Sequence, residues 1–143
     1  MRYPEQLVAP MRADLTQYGV AEARTPEEVN RVLGKGTGNV LMVVNSVCGC
    51  AAGKARPAVG MALAHQNRPD SVATVFAGAD VEAVNRVREL LPGLPPSSPS
   101  MALFQDGKPV FMLHRHQIEM RQAPEIAAIL REAFDQYCVP AKQ

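Results

Sequence analysis

Val40-Leu41-Met42-Val43-Val44 is an unbroken apolar run in a chain where no such run exceeds five residues. A strand that is apolar at every position has to be covered on both faces, so residues 39–45 predict the central strand of a sheet with layers packed on each side. That requirement favours a layered α/β arrangement. The strand then delivers the chain to Cys48-Gly49-Cys50 and to the Ala-rich segment Ala51-Ala52-Gly53-Lys54-Ala55-Arg56, which predicts a helix. A thiol pair between a buried strand and a helix start is placed for sulfur chemistry, because the positive end of the helix favours the thiolate. Cys48 is the candidate nucleophile.

The spacing adds a second constraint. A disulfide needs its Cα atoms roughly 4.4–6.8 Å apart and a dihedral of about 90°. An extended three-residue segment sits at the outer limit of that range. Gly49 permits a folded backbone that a side chain would resist, and the small ring remains strained and easily reduced. Such a bridge suits exchange better than permanent stapling.

The chain has 143 residues, 47% of them hydrophobic, enough for one domain with a core of its own and no need of disulfides. Fifteen basic and fourteen acidic residues leave a net charge of +1 with no block of like charge, so the electrostatic footprint of a nucleic-acid binder is missing. No apolar run approaches the about eighteen residues of a membrane span, and Met1-Arg2-Tyr3-Pro4-Glu5-Gln6 lacks a signal-peptide core. A soluble, cytoplasmic protein is expected, with no membrane partner. Three cysteines in such a chain point to redox, nucleophilic or metal chemistry.

Other elements follow from periodicity. Val8, Met11, Leu15 and Tyr18 recur at helical spacing before Gly19, and a short strand is expected at Val20–Ala23. Thr25-Pro26-Glu27-Glu28 predicts a capping box, with Val29, Val32 and Leu33 buried on the helix that follows. After the cysteines a helix is expected to Gln66, burying Val59, Met61 or Ala62, and Leu63, with a kink at Pro57. Val72–Phe76 predicts a strand, and Asp80 an N-cap for a helix carrying Val84, Val87, Leu90 and Leu91 and ended by Pro92. The segment from Pro92 to Pro99 predicts a stiff, shaped loop. Met101–Gln105 and Pro109–Leu113 flank Asp106-Gly107, a hairpin signal. A last helix is expected over Pro124–Tyr137, with Ile126, Ile129, Leu130 and Phe134 on one face.

This order is that of a thioredoxin-like domain: an α/β fold with a mixed central sheet flanked by helices and an added N-terminal helix over residues 1–19, one domain spanning 1–143. Ser98-Pro99-Ser100-Met101-Ala102 resembles the thioredoxin segment in which a cis-proline precedes a strand and faces the redox cysteines, and X-Pro bonds adopt cis at little cost. Pro99 is the candidate.

Across nearly its whole length the chain resembles the bacilliredoxin family, thioredoxin-like bacterial proteins with a Cys-Gly-Cys site. The resemblance rests on the segment Val44–Gly53 with Ala55-Arg56-Pro57, on Val75-Phe76-Ala77-Gly78, on the segment Pro95–Ala102, and on His114-Arg115-His116 with Ile118-Glu119. Met120 stands where the family pattern has Gly. Pro57 lies one residue farther from the first cysteine than the helix proline of ordinary thioredoxins. The resemblance implies removal of bacillithiol, a small thiol acting as co-substrate, from S-thiolated client proteins, with no resident cofactor. Cys48 would attack the mixed disulfide, and Cys50 or another thiol would resolve the adduct. By analogy with thioredoxins, backbone groups of Ser98, Pro99 and Ser100 would pair with the client chain. Arg56 is expected on the site rim, adding positive charge near Cys48, and Lys54 as a solvated helix charge.

His114 and His116 support a competing reading, since with Cys48 and Cys50 they offer four ligands of the kind zinc or an iron–sulfur cluster accepts. The last strand is expected to end at these residues on the active-site side, with both histidines pointing one way and Arg115 the other. A milder reading makes them a rim that aids proton transfer or recognition. Cys138 lies some fourteen helical residues, about 20 Å, from the active-site end, so a buried, non-resolving thiol is expected there. A binding module with purely structural cysteines is the non-enzymatic alternative.

Overall fold

The computed structural model describes residues 2–138, so the extremes of the expected 1–143 span lie outside the described residues. Helix α1 covers Glu5–Thr16, β1 Ala21–Glu22, α2 Pro26–Leu33 and β2 Asn39–Asn45. A π-helical turn over Ala51–Ala55 leads into α3 at Arg56–Ala62. Then come β3 (Ser71–Phe76), α4 (Val81–Glu89), β4 (Ser100–Gln105), β5 (Lys108–Leu113), α5 (Arg115–Glu119) and α6 (Ala123–Tyr137).

The strands form one sheet in the order β1-β3-β2-β4-β5, with β2 at the centre as its apolar run requires. β2 and β3 are parallel, as are β3 and β1, while β4 runs antiparallel to both β2 and β5. The pleat sends Leu41 and Val43 into a core shared with Leu15 of α1, Val59 of α3, and Ile126, Leu130 and Phe134 of α6. Val40, Met42 and Val44 face the opposite core, against Val29 and Leu33 of α2 and Val84 and Val87 of α4. All five side chains of the β2 run are at most 3% exposed. Burying each contributes about 1.5–3 kcal/mol, which makes β2 the firmest base from which to hang a reactive loop.

Local chemistry explains where elements begin and end. Thr25 caps α2 by accepting the Glu28 N–H at 3.1 Å, but Glu28 reaches back one residue farther than a capping box requires, to the N–H of Arg24. Asp80 sits at the start of α4 without capping it through its side chain. Its carboxylate turns instead to the guanidinium of Arg12, at 2.8 and 2.9 Å, and to the N–H of Phe76. This buried pair, with Arg12 lying 5.3 Å from the centre of the Phe76 ring, ties α1 to the end of β3. The β4–β5 turn places Asp106 and Gly107 at φ values of 49° and 86°, the left-handed conformations that a tight hairpin needs.

The helix after the cysteines departs from the expectation of one kinked helix reaching Gln66. Pro57 has no N–H to donate, and just before it the helix widens so that the N–H of Arg56 bonds the carbonyl of Ala51, five residues back. Pro57 then occupies the first turn of α3, where a missing N–H costs nothing. Val59, Ala62 and Leu63 are buried, whereas Met61 faces solvent.

Candidate active site

The cysteine loop begins where β2 ends. Asn45, 1% exposed, accepts the Ser46 N–H on its Oδ1 and donates through Nδ2 to the carbonyl of Met11 in α1. Ser46 Oγ in turn accepts the Cys48 N–H at 3.0 Å. The Cys48 carbonyl receives the N–H groups of Ala51 and Ala52, which starts the helix, and Cys48 Sγ accepts the Cys50 N–H at 3.3 Å. Cys48 therefore stands where an N-cap side chain stands, its sulfur facing the unpaired end of the helical turn. Both thiols are unbonded and partly exposed.

Two walls flank the pair. One is the loop before β4, where the Ser98–Pro99 bond is cis. Pro99 and Ser100 are buried and Ser98 is half-buried, and the Ser100 hydroxyl donates to the Ser97 carbonyl. The other wall is α5, whose Arg115 donates its N–H to Ser97 Oγ, Nη1 to the Ser98 carbonyl and Nε to Glu119 Oε2. The same Glu119 oxygen accepts the Cys50 S–H at 3.7 Å. Pro95, Pro96, Ser97, His114, Arg115, His116 and Glu119 line an open groove of about 380 Å³ between these walls.

This arrangement gives the two sulfurs opposite tendencies. Burial by itself would push the Cys48 thiol up, but hydrogen bonds from the Cys50 N–H and thiol, the charge of Arg115 and the Ala51 N–H bring it below the ordinary thiol value. Cys50 is pushed up, by burial first, then by its hydrogen bond to Cys48 and by the negative charges of Cys48 and Glu119, with Arg115 opposing. Of the two, Cys48 is thus the sulfur that gives up its proton more readily and Cys50 the one that keeps it. That is the division of labour that thiol–disulfide exchange requires.

Solved structures with this architecture include a thioredoxin of Malassezia sympodialis and thioredoxin O2 of Arabidopsis thaliana. The first superposes with a TM-score of 0.58 at 15% identity, covering 84% of this chain and 91% of its own. The second gives 0.57 at 12% identity, covering 82% and 96%. At such low identity they show the thioredoxin-like fold alone. A family model described as disulphide isomerase matches residues 3–138. A bacilliredoxin of Salinibacter ruber is 55% identical over 140 residues, spanning 96% of this chain and 82% of that protein. Bacilliredoxins of Koribacter versatilis and Halalkalibacterium halodurans are 48% and 46% identical, each over 95% of this chain and 94% of the relative.

The chain belongs to the bacilliredoxin family.

Family and fold together make this member a thiol–disulfide oxidoreductase. Two residues placed beside the pair, Arg115 and Glu119, were not singled out for the site by sequence reasoning. Their signal was present in the alternation Leu113-His114-Arg115-His116, but that pattern reads as strand. β5 stops at Leu113, and His114 instead opens α5, its N–H donating to Gln117 Oε1 at 2.8 Å and its carbonyl accepting the Gln117 N–H at 3.0 Å. Arg115 is consequently turned toward the cysteines, and the two histidine rings stack 5.9 Å apart along the groove.

Arg56 does not form the site rim. It is 3% exposed, and its guanidinium points to α1, donating to the carbonyls of Ala51 and Met11 beside Asp14. Lys54 reaches across to the Glu119 carbonyl rather than standing free in solvent. The metal alternative also lacks a supporting geometry. The Arg115 guanidinium stands beside the proposed ligands, and among the described residues no group of three or more His, Cys, Asp or Glu side chains is arranged to hold an ion. Cys138 is buried at the end of α6, and burial together with the Asp70 carboxylate pushes its thiol up to about 11. Met120 ends α5 at φ −84°, a conformation that needs no glycine.

Proposed function

We propose that this family member removes a small thiol, bacillithiol or a close analogue, from mixed disulfides on client proteins in the cytoplasm. The observation that carries the reading is Cys48 Sγ, partly exposed at a helix start and accepting the Cys50 N–H beside a cis-proline wall. The Cys48 thiolate attacks the small-thiol sulfur of the mixed disulfide. The old S–S bond breaks, and the client sulfur leaves as a thiolate with the electron pair. Cys48 then carries the small thiol. Cys50 gives up its proton and attacks Cys48 Sγ, the small thiol departs as thiolate, and the pair is left as a disulfide for an external thiol to reduce. A second small-thiol molecule achieves the same release by attacking the adduct directly. The client chain lies against Ser98, Pro99 and Ser100, of which Ser98 is half-buried and the other two are buried.

Mass spectrometry after mixing reduced protein with a client carrying the small thiol tests this. The adduct is expected on Cys48, trapped when Cys50 is replaced by Ser and absent with Cys48→Ser. Full release of the small thiol by Cys48→Ser protein overturns the assignment.

A further inference from the structure

We propose that Glu119 controls the lifetime of the Cys48 adduct, by accepting the Cys50 S–H and so restraining Cys50 from resolving the adduct at once. This inference rests on the proposed exchange reaction and concerns only its second half. The carboxylate is held in place rather than free to swing. Arg115 Nε grips the same oxygen at 2.9 Å that meets Cys50 Sγ at 3.7 Å, while Lys54 Nζ bonds the backbone carbonyl of Glu119 and so steadies its main chain. Arg115 is itself anchored on the loop of Ser97 and Ser98.

The charged and titratable groups around Cys50 are Cys48 in its own loop and Arg115 and Glu119 on α5, with Lys54 gripping the Glu119 carbonyl. Burial first, then Cys48 as thiolate and Glu119, keep the proton on Cys50, and the charge of Arg115 opposes them. Once Cys48 has bonded the small thiol, its negative charge is gone. Burial and the Glu119 charge then remain to disfavour a Cys50 thiolate, and Glu119 is the one of the two that a side-chain substitution removes. The carboxylate is a poor base for that proton, since its pairing with Arg115 keeps it below the ordinary carboxylate range. Its effect is therefore to retain the proton on sulfur rather than to remove it, and exchange proceeds through the thiolate fraction. A longer-lived adduct gives a second thiol, small or on a client, time to compete with Cys50. When Cys50 does react, its proton passes to solvent, to which the sulfur is partly open. Its sulfur bonds Cys48 Sγ, and the small thiol leaves with the electrons of the broken bond.

Dithiodipyridine, an uncharged disulfide, separates the two halves by stopped-flow absorbance. One thiopyridone is released when Cys48 is modified and a second when Cys50 resolves the adduct. Glu119→Gln keeps an acceptor but removes the charge. It is expected to speed the second release several-fold at neutral pH and to move its pH profile to lower pH, whereas Glu119→Asp retains the restraint. A second phase that is unchanged or slower in Glu119→Gln protein overturns the inference, as does a second release that persists in Cys50→Ser protein. Absence of the first release in wild-type protein refutes instead the reaction on which the inference rests. Glu119 is exposed, so the substitution leaves the core intact. As a second measure, thiolate absorbance of Cys50 in Cys48→Ser protein is expected to titrate at lower pH with Glu119→Gln, and an unmoved titration counts against the restraint.

Discussion

An exposed arginine ordinarily does little to a neighbour because water screens it, but Arg115 is fixed by three hydrogen bonds with its charge directed at Cys48. Arg115→Leu is therefore expected to raise the Cys48 thiol and slow its alkylation several-fold at neutral pH. Wild-type and variant rates should converge in alkali, where both sulfurs are thiolates. A pH profile of iodoacetamide modification checks this, and superimposable profiles exclude a role for the charge. Cys138 illustrates the opposite use of a thiol. Burial and the Asp70 carboxylate push this thiol from the ordinary value of 9.0 up to about 11 in the folded chain. The stabilisation is thus full below about pH 9 and is lost as pH rises to about 11, a difference of roughly 2–3 kcal/mol. Denaturant unfolding across that range should show the loss in wild-type protein and not in Cys138→Ala.

At the scale of elements, α1 is bound into the molecule by charge as well as by Val8 and Leu15. Arg12, 5% exposed, meets Asp80, Glu5 and Glu22. Removing one member of a buried pair leaves the other uncompensated. Asp80→Ala is expected to cost about 3 kcal/mol in chemical unfolding, the lower end of the usual range because Glu5 and Glu22 remain near Arg12. A loss below about 0.5 kcal/mol, the scale of ordinary surface changes, contradicts that role. The short helix α5 matters in another way. It converts the end of β5 into a turn that swings Arg115 and Glu119 over the cysteines, work that a strand continuing through His116 cannot do.

Across the whole molecule, features written in neighbouring residues were legible beforehand. The β2 run, the Asp106-Gly107 hairpin, the cysteine loop and the proline before β4 each depend on a local pattern, and the sheet order follows once they are in sequence. Features that depend on distant partners were not. A helix start at His114, secured by the Gln117 side chain reaching back to its N–H, lies outside the usual Ser, Thr, Asp and Asn vocabulary, so α5 was hidden in an alternation that mimics strand. Arg12 and Arg56 are charged residues that are seldom buried unless paired, and their partners in Asp80 and the Met11 carbonyl are far away in sequence. The Met11 carbonyl is the most telling case. It receives Asn45 from the strand before the cysteines and Arg56 from the helix after them. The first helix is thus a hinge pin through both flanks of the reactive loop rather than an appendage to a finished fold. Transplanted into a thioredoxin-like host without that helix, the loop would bring along an Asn45 Nδ2 without its acceptor and an Arg56 guanidinium left with the Ala51 carbonyl, so its chemistry is not portable by the cysteines alone.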